Sequence, residues 1–422
     1  MHRFFGGLAL VLVTAQAFAQ ESSLDSARAA VRTNGNDVNA SLALGKALRR
    51  AGKYADSLAE LRRGASTLAG HQPDGAMKLH WELARTFIAQ RDFSNAIVEC
   101  RVVGAQTGGA ASGHACTAEA HLLWRRATDA STEIAQAGRT YESKVAEGRT
   151  LALQLKDAEA ETAFKDAMTL NAQGAEPHLY LGKYWFDTGK TDQGIAELKR
   201  AVELDPTNPE ALYELGRALP PGQDAVNALQ KATHERTNHL EAWVRLAEVD
   251  IALGKNADAK TAAAAALHIN AQDPAAHVVT GRVALADGKA DDALTEARAA
   301  LGVMANSASA KLLMADAYAK KGDIDLALEQ YQAAFGLDRQ NPEVLIHATQ
   351  ACIKAGRNTS ARAYATTATH DFPTYGPAFV ALGDAFAADG DAAQARTAYD
   401  KALQAKGPVD AAAVRAKIAA LH

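Results

Sequence analysis

AEPHLYLGKYWFDTGKTDQGIAELKRAVELDPTN, residues 175–208, reads as two short helices around a glycine turn. Leu181 and Trp185 recur at helical spacing, with the small Gly182 beside them. Gly189 then ends the first helix in a conformation that a Cβ would penalise. Gly194, Leu198 and Ala201 mark one face of a second helix, and Pro206 stops it, since proline can neither donate the backbone hydrogen bond nor fit inside the turn.

The same signature lies to both sides. Gly254, Gly288, Gly322, Gly356 and Gly390 are spaced 34 residues apart, and the ladder extends back to Gly189 and Gly52. A strict period of this kind marks one supersecondary unit copied along the chain. Numbering each unit so that its turn glycine is position 15, apolar residues recur at positions 4, 7 and 11, and small ones at 8 and 20. A larger apolar residue stands near 24, alanine at 27, and often proline near 32. A small residue at position 8 (Gly45, Ala84, Gly182, Gly216, Ala247, Gly281, Ala315, Gly383) lets the second helix approach the first.

This pattern resembles the tetratricopeptide repeat, the helix-turn-helix family of that length. The expected fold is all-α, a right-handed α-solenoid of about eleven such repeats with a capping helix at each end. Residues 20–37 read as the N-terminal cap, with Leu24, Ala27 and Val31 on one face. Repeat-like units fill 38–174 and are degenerate at 111–174; seven repeats fill 175–409; residues 410–422 read as the C-terminal cap, with Val414, Ile418 and Leu421 on one face. The unit at 209–239 is three residues short, and Pro220-Pro221-Gly222 must end its first helix early. Gly104 to Gly113 is expected to be a flexible joint.

Residues 1–19 have the form of a secretory signal: His2 and Arg3, an apolar run from Phe4 to Val13, and Ala17-Phe18-Ala19 as a cleavage site. The run is shorter than the roughly 20 residues a spanning helix needs. The expected location is therefore periplasmic or secreted, with any membrane association indirect. The formal net charge of −4 offers no basic excess for nucleic acid or anionic lipid.

No sequence motif for catalysis or for a cofactor survives scrutiny. Thr188-Gly189-Lys190-Thr191 lacks the first glycine of a phosphate loop and lies between helices. His234 and His239 are one residue too far apart for the zinc-protease helix motif. No metal site, cofactor or catalytic residue is expected. Cys100 and Cys116 are consistent either with a disulfide, favoured by an oxidising compartment, or with two buried thiols. Cys352 falls at position 11 and reads as a small buried hydrophobe.

The resemblance implies a groove lined by the first helices that holds peptides or helices of other proteins. Residues placed there are Trp81, Arg85, Lys183, Phe186, Tyr213, Arg217 and Arg282. Position 9 is basic in earlier units (Lys46, Arg85, Lys183, Arg217) and acidic or neutral in the last three (Asp316, Gln350, Asp384), a gradient able to orient an acidic segment. The expected function is a protein-interaction scaffold of the cell envelope, acting in assembly or as a chaperone-like factor. The rival expectation is a non-catalytic subunit, or an enzyme using a pocket at the irregular repeats.

Overall fold

The computed structural model describes residues 24, 26–68, 73–405, 407 and 409–421, and the regular elements among them are α-helices. The signal-like segment 1–19 lies outside the described residues. After α1 (26–33) come eleven helix pairs. They are α2 and α3 (Val38–Arg50, Tyr54–Leu68), α4 and α5 (Pro73–Ala89, Phe93–Ala105), α6 and α7 (Ala110–Leu123, Ala127–Ala137), and α8 and α9 (Tyr141–Leu153, Asp157–Leu170). Next are α10 and α11 (Glu176–Asp187, Thr191–Leu204), α12 and α13 (Pro209–Ala218, Gln223–Glu235), and α14 and α15 (Leu240–Ala252, Asn256–Ile269). The remaining pairs are α16 and α17 (Pro274–Ala286, Ala290–Val303), α18 and α19 (Ala308–Lys321, Ile324–Leu337), α20 and α21 (Pro342–Lys354, Asn358–Asp371), and α22 and α23 (Gly376–Ala388, Ala392–Gln404), followed by α24 (Ala411–Ala419). The chain divides into two compact units, residues 1–249 and 250–422.

The turn inside ten of the eleven pairs has one recurring geometry. At Gly189 the backbone is left-handed (φ 85°), and the next amide, Lys190 N–H, donates back to the Trp185 carbonyl at 2.7 Å. That bond satisfies a carbonyl which the helix end would otherwise leave open. In repeats two to four no glycine is present, yet Arg91, Arg125 and Leu155 adopt the same left-handed backbone, with φ of 62°, 61° and 58°. The returning bonds persist there too, from Asp92 to Phe87 (2.9 Å), Arg126 to His121 (2.8 Å) and Lys156 to Leu151 (3.0 Å). Each of these side chains costs about 1–2 kcal/mol relative to glycine. Gly222, in the shortened repeat, is extended instead (φ 178°), and α12 stops at Ala218 ahead of Pro220.

Close packing within a pair explains the small residue at position 8. A Cβ on Gly148 would stand 2.7 Å from the Phe164 ring, and one on Gly182 would meet Leu198 at 2.8 Å and the Gly194 carbonyl at 2.9 Å. At Gly281 the obstruction comes from the following repeat, Leu313 Cδ2 at 2.4 Å. Small and large side chains therefore face each other across these contacts.

The expected flexible joint at Gly104–Gly113 is reduced to the four residues 106–109 between α5 and α6. Gly104 lies inside α5 and Gly113 inside α6, and a Cβ on Gly113 would come within 2.4 Å of the Gly104 Cα. These glycines serve close helix contact rather than mobility. Beside them the sulfurs of Cys100 and Cys116 are bonded at 1.98 Å, packed with Ala84 and Trp81.

Position 4 also differs from the apolar expectation. In four repeats it is a histidine whose Nδ1 meets a glutamate 19 residues on: His80–Glu99 (2.7 Å), His114–Glu133 (2.7 Å), His178–Glu197 (2.5 Å) and His277–Glu296 (2.7 Å). Each clamp ties a first helix to its own second helix. At the two ends of the stack, Leu24, Ala27 and Val31 cover Leu44 and Leu48, while Val414, Ile418 and Leu421 cover Tyr399. The terminal repeats thus keep their apolar faces from water.

Candidate functional site: a channel in the first unit

Arg50, the last residue of α2, reaches the turn that follows α11. Its guanidinium pairs with the Asp205 carboxylate and donates to Thr207 Oγ1 at 2.8 Å. Arg236 Nε in turn donates to the Arg50 carbonyl at 3.3 Å, and Gly52 lies so close to Asn238 that a Cβ would be 2.5 Å from its side-chain amide. The first repeat of the unit thus meets its fifth and sixth. Helices α2, α4, α6, α8 and α10 surround a channel of about 1570 Å³.

The lining mixes apolar and charged groups. Leu42, Trp81, Ile88, Leu122 and Leu179 contribute apolar surface, and Leu123, Leu153 and Leu155 add exposed leucines. The charges are largely matched across repeats. Arg49 meets Glu82 at 2.5 Å; Arg85 meets Glu176 at 2.7 Å and Glu119 at 3.6 Å; Arg149 meets the same Glu119 at 3.3 Å. Burial works against the Glu119 carboxylate, but the two guanidiniums outweigh it and hold the group below the usual carboxylate range. The Arg149 guanidinium also lies 4.1 Å from the Tyr180 ring centre, and burial pushes the Tyr180 hydroxyl up to about 12.

Lys46 differs from these pairs. Its ammonium is lowered by burial and by the neighbouring Arg50, and it faces the channel without a bonded carboxylate among the described residues. A group so placed favours an arriving anion, which would replace lost hydration.

Of the residues expected in a groove, Trp81, Arg85 and Lys183 line this channel. Phe186, Tyr213 and Arg217 lie in the same unit but not on the lining: Arg217 covers the Phe186 ring at 4.7 Å, and Tyr213 packs on His239 with ring centres 4.8 Å apart. Arg282 belongs to the second unit. The basic residues at position 9 are not idle. Lys183 reaches the buried Glu214 at 2.5 Å, and Arg217 holds Glu214 at 2.6 Å and Asp187 at 2.7 Å. In the second unit Asp316 accepts from Tyr331 (2.6 Å) and meets His347 (2.9 Å), and Asp384 accepts from Tyr399 (2.7 Å). Lys46 apart, these charges at position 9 are matched inside the chain.

Sequence reasoning missed Glu119 and Arg149, the centre of the ion-pair network. Both occupy position 9 of the degenerate repeats, so the position itself was the available signal.

Two descriptions of repeat families match the chain. The model described as "TPR repeat" matches residues 185–219, and the one described as "Tetratricopeptide repeat" matches 222–280 and 319–382. These stretches are similar to tetratricopeptide repeats. The fold as a whole is an α-solenoid of tetratricopeptide type. No curated protein matches the sequence. Among solved structures, yeast Tom70 is similar at 14% identity and a TM-score of 0.49, over 98% of this chain and 95% of that one. A thermophilic tetratricopeptide protein of Thermus thermophilus shares 23% identity at a TM-score of 0.39, over 43% of this chain and all (100%) of that one. A tetratricopeptide repeat protein from Parabacteroides merdae shares 15% identity at a TM-score of 0.42, over 67% and 98%. No helix among the described residues is long and apolar enough to cross a membrane.

Proposed function

We propose that this tetratricopeptide solenoid is a non-catalytic scaffold of the cell envelope that holds an extended segment of another protein in the channel of its first unit. The channel of about 1570 Å³ carries this reading. Its walls combine apolar side chains with fixed charges, the lining that suits a polypeptide with alternating chemistry. An assembly or chaperone-like role follows from holding a chain in extended form.

Two features support the setting. The Cys100–Cys116 bond is of the kind that persists in oxidising compartments, and residues 1–19 have the composition of a secretory signal. The histidines at position 4 are engaged by glutamates. Among the described residues no group of His, Cys, Asp and Glu is arranged to hold a metal ion.

Capture from envelope extract tests the reading, comparing wild type with Lys46→Ala and Trp81→Ala. Arg85 and Lys183 are poor probes, because reversing either would place it against a carboxylate partner and disturb folding. The expected result is loss of the same captured proteins from both variants, with Lys46→Ala melting as the wild type does and Trp81→Ala melting lower but still folded at the temperature of capture. Full retention by both would overturn the channel as the binding site.

A further inference from the structure

Three consecutive turns in the first unit hold left-handed backbone with large side chains. Arg91, Arg125 and Leu155 occupy the place taken in seven other turns by a left-handed glycine (Gly52, Gly189, Gly254, Gly288, Gly322, Gly356 and Gly390), a majority that makes the exceptions informative. None of the three is buried, and Leu155 is 79% exposed, so packing does not compensate the strain. Leu153 at 65% and Leu123 at 41% stand beside the same turns.

The edge is continuous with the channel, since Arg91, Leu123, Leu153 and Leu155 all line it. Among the described residues no carboxylate is paired with Arg91 or Arg125, whereas the neighbouring Arg126 has Asp129 at 3.9 Å. The channel lining as a whole carries nine Lys and Arg against seven Asp and Glu. Exposed leucines and unmatched guanidiniums therefore meet at the mouth of a mildly cationic channel.

We propose that the turns of repeats two to four are a docking edge for an acidic, leucine-bearing segment of a partner protein, whose continuation enters the channel; this rests on the channel reading above. Apolar side chains of the segment cover Leu123, Leu153 and Leu155, and its carboxylates meet Arg91 and Arg125. A flat anionic bilayer could touch the edge but could not follow it inward. Continuity with the channel favours a polypeptide.

The test uses the full-length protein and fluorescence anisotropy with two short labelled peptides, one alternating Leu with Asp and one alternating Leu with Lys. Phosphatidylglycerol vesicles serve as the lipid probe. The key variant combines Arg91→Gly, Arg125→Gly and Leu155→Gly, substitutions that relieve backbone strain and so preserve or raise the melting temperature. The acidic peptide is expected to bind the wild type and to lose about tenfold in affinity in this variant. Leu155→Gly alone is expected to lose about threefold, which keeps the proposal testable should the triple variant misfold.

Equal affinity of wild type and triple variant for the acidic peptide would overturn the proposal. So would equal affinity of the wild type for both peptides, or binding to vesicles with none to either peptide. The comparison with Trp81→Ala separates the two readings. Weakening by Trp81→Ala but not by the triple variant leaves the channel and refutes the edge, whereas weakening by the triple variant alone refutes the channel and with it the entry of the segment that the proposal requires.

Discussion

Arg50 and Asp205, 155 residues apart in sequence, form an ion pair that brings the first repeat of the first unit against its fifth. Both side chains are more than three-quarters buried, at 17% and 24% exposure, so the pair is screened less than a surface one. Around it the Thr207 and Arg236 hydrogen bonds and the Gly52–Asn238 contact complete the closure.

Two glycine substitutions should separate closure from backbone strain. Gly52 and Gly189 share the left-handed conformation, with φ of 75° and 85°, but only Gly52 is crowded, by Asn238 at 2.5 Å. Gly189→Ala should lower stability by about 1 kcal/mol through backbone strain alone. Gly52→Ala should cost the same strain and also displace Asn238, and hydrogen exchange should rise in residues 205–238 for Gly52→Ala only.

A second pair tests the repeat packing in the second unit. Gly281→Leu drives its side chain into Leu313, which stands 2.4 Å from a Cβ, and should cost about 1–3 kcal/mol. Gly288→Val meets no atom within 4 Å, but its φ of 79° is strained for a branched side chain, at about 1–2 kcal/mol. Thermal melts of both variants should shift downward, and unchanged melts would contradict the packing described.

The Cys100–Cys116 bond closes a short loop, the two residues being 16 apart. On the chain-entropy relation a loop of that size stabilises by about 3 kcal/mol. Denaturant unfolding with and without reductant should show a loss of that order, and a variant with Cys100→Ala and Cys116→Ala should lose all sensitivity to reductant.

Asp250 should make stability depend on pH. It is 2% exposed, its Oδ1 has no hydrogen-bond partner among the described residues, and it stands at position 11, where other repeats carry Leu48, Phe87 or Trp185. Burial, reinforced by Asp258, raises its carboxyl from the ordinary 3.8 to about 6. The folded state therefore binds this proton more tightly than the unfolded one, so stability falls as pH rises from about 4 to about 6 and the loss is complete above that. Asp250→Asn should gain up to about 3 kcal/mol at pH 7 and nothing near pH 4, measured by denaturant unfolding at both values.

Much of the fold was legible because its rules are local. The turn at Gly189, the close approach at Gly182 and the stop at Pro206 each depend on neighbours within one repeat. The turns of repeats two to four were harder, since Arg91, Arg125 and Leu155 keep the turn conformation while erasing its residue signature. The His–Glu clamps were present as a fixed 19-residue spacing, but a lone histidine on a helix face carries no such message until its partner is seen. Gly104 and Gly113 were misread for a related reason: composition suggests a flexible linker, whereas two glycines facing each other across helices mean contact.

The candidate site was only partly legible. Trp81, Arg85 and Lys183 could be placed on first helices from the period alone, and they do face the channel. Their ion-pair partners could not be, because Glu176 meets Arg85 across two intervening repeats.

The sequence by itself determined the helices, the length of the repeat and the residues that must be small, because each of those choices is made between groups a few turns apart. Only the tertiary structure decided that Arg50 meets Asp205, and with it the channel and the mouth formed by Leu153, Leu155 and Arg91. Closure depends on the sum of small rotations between successive repeats, and no single repeat carries that sum.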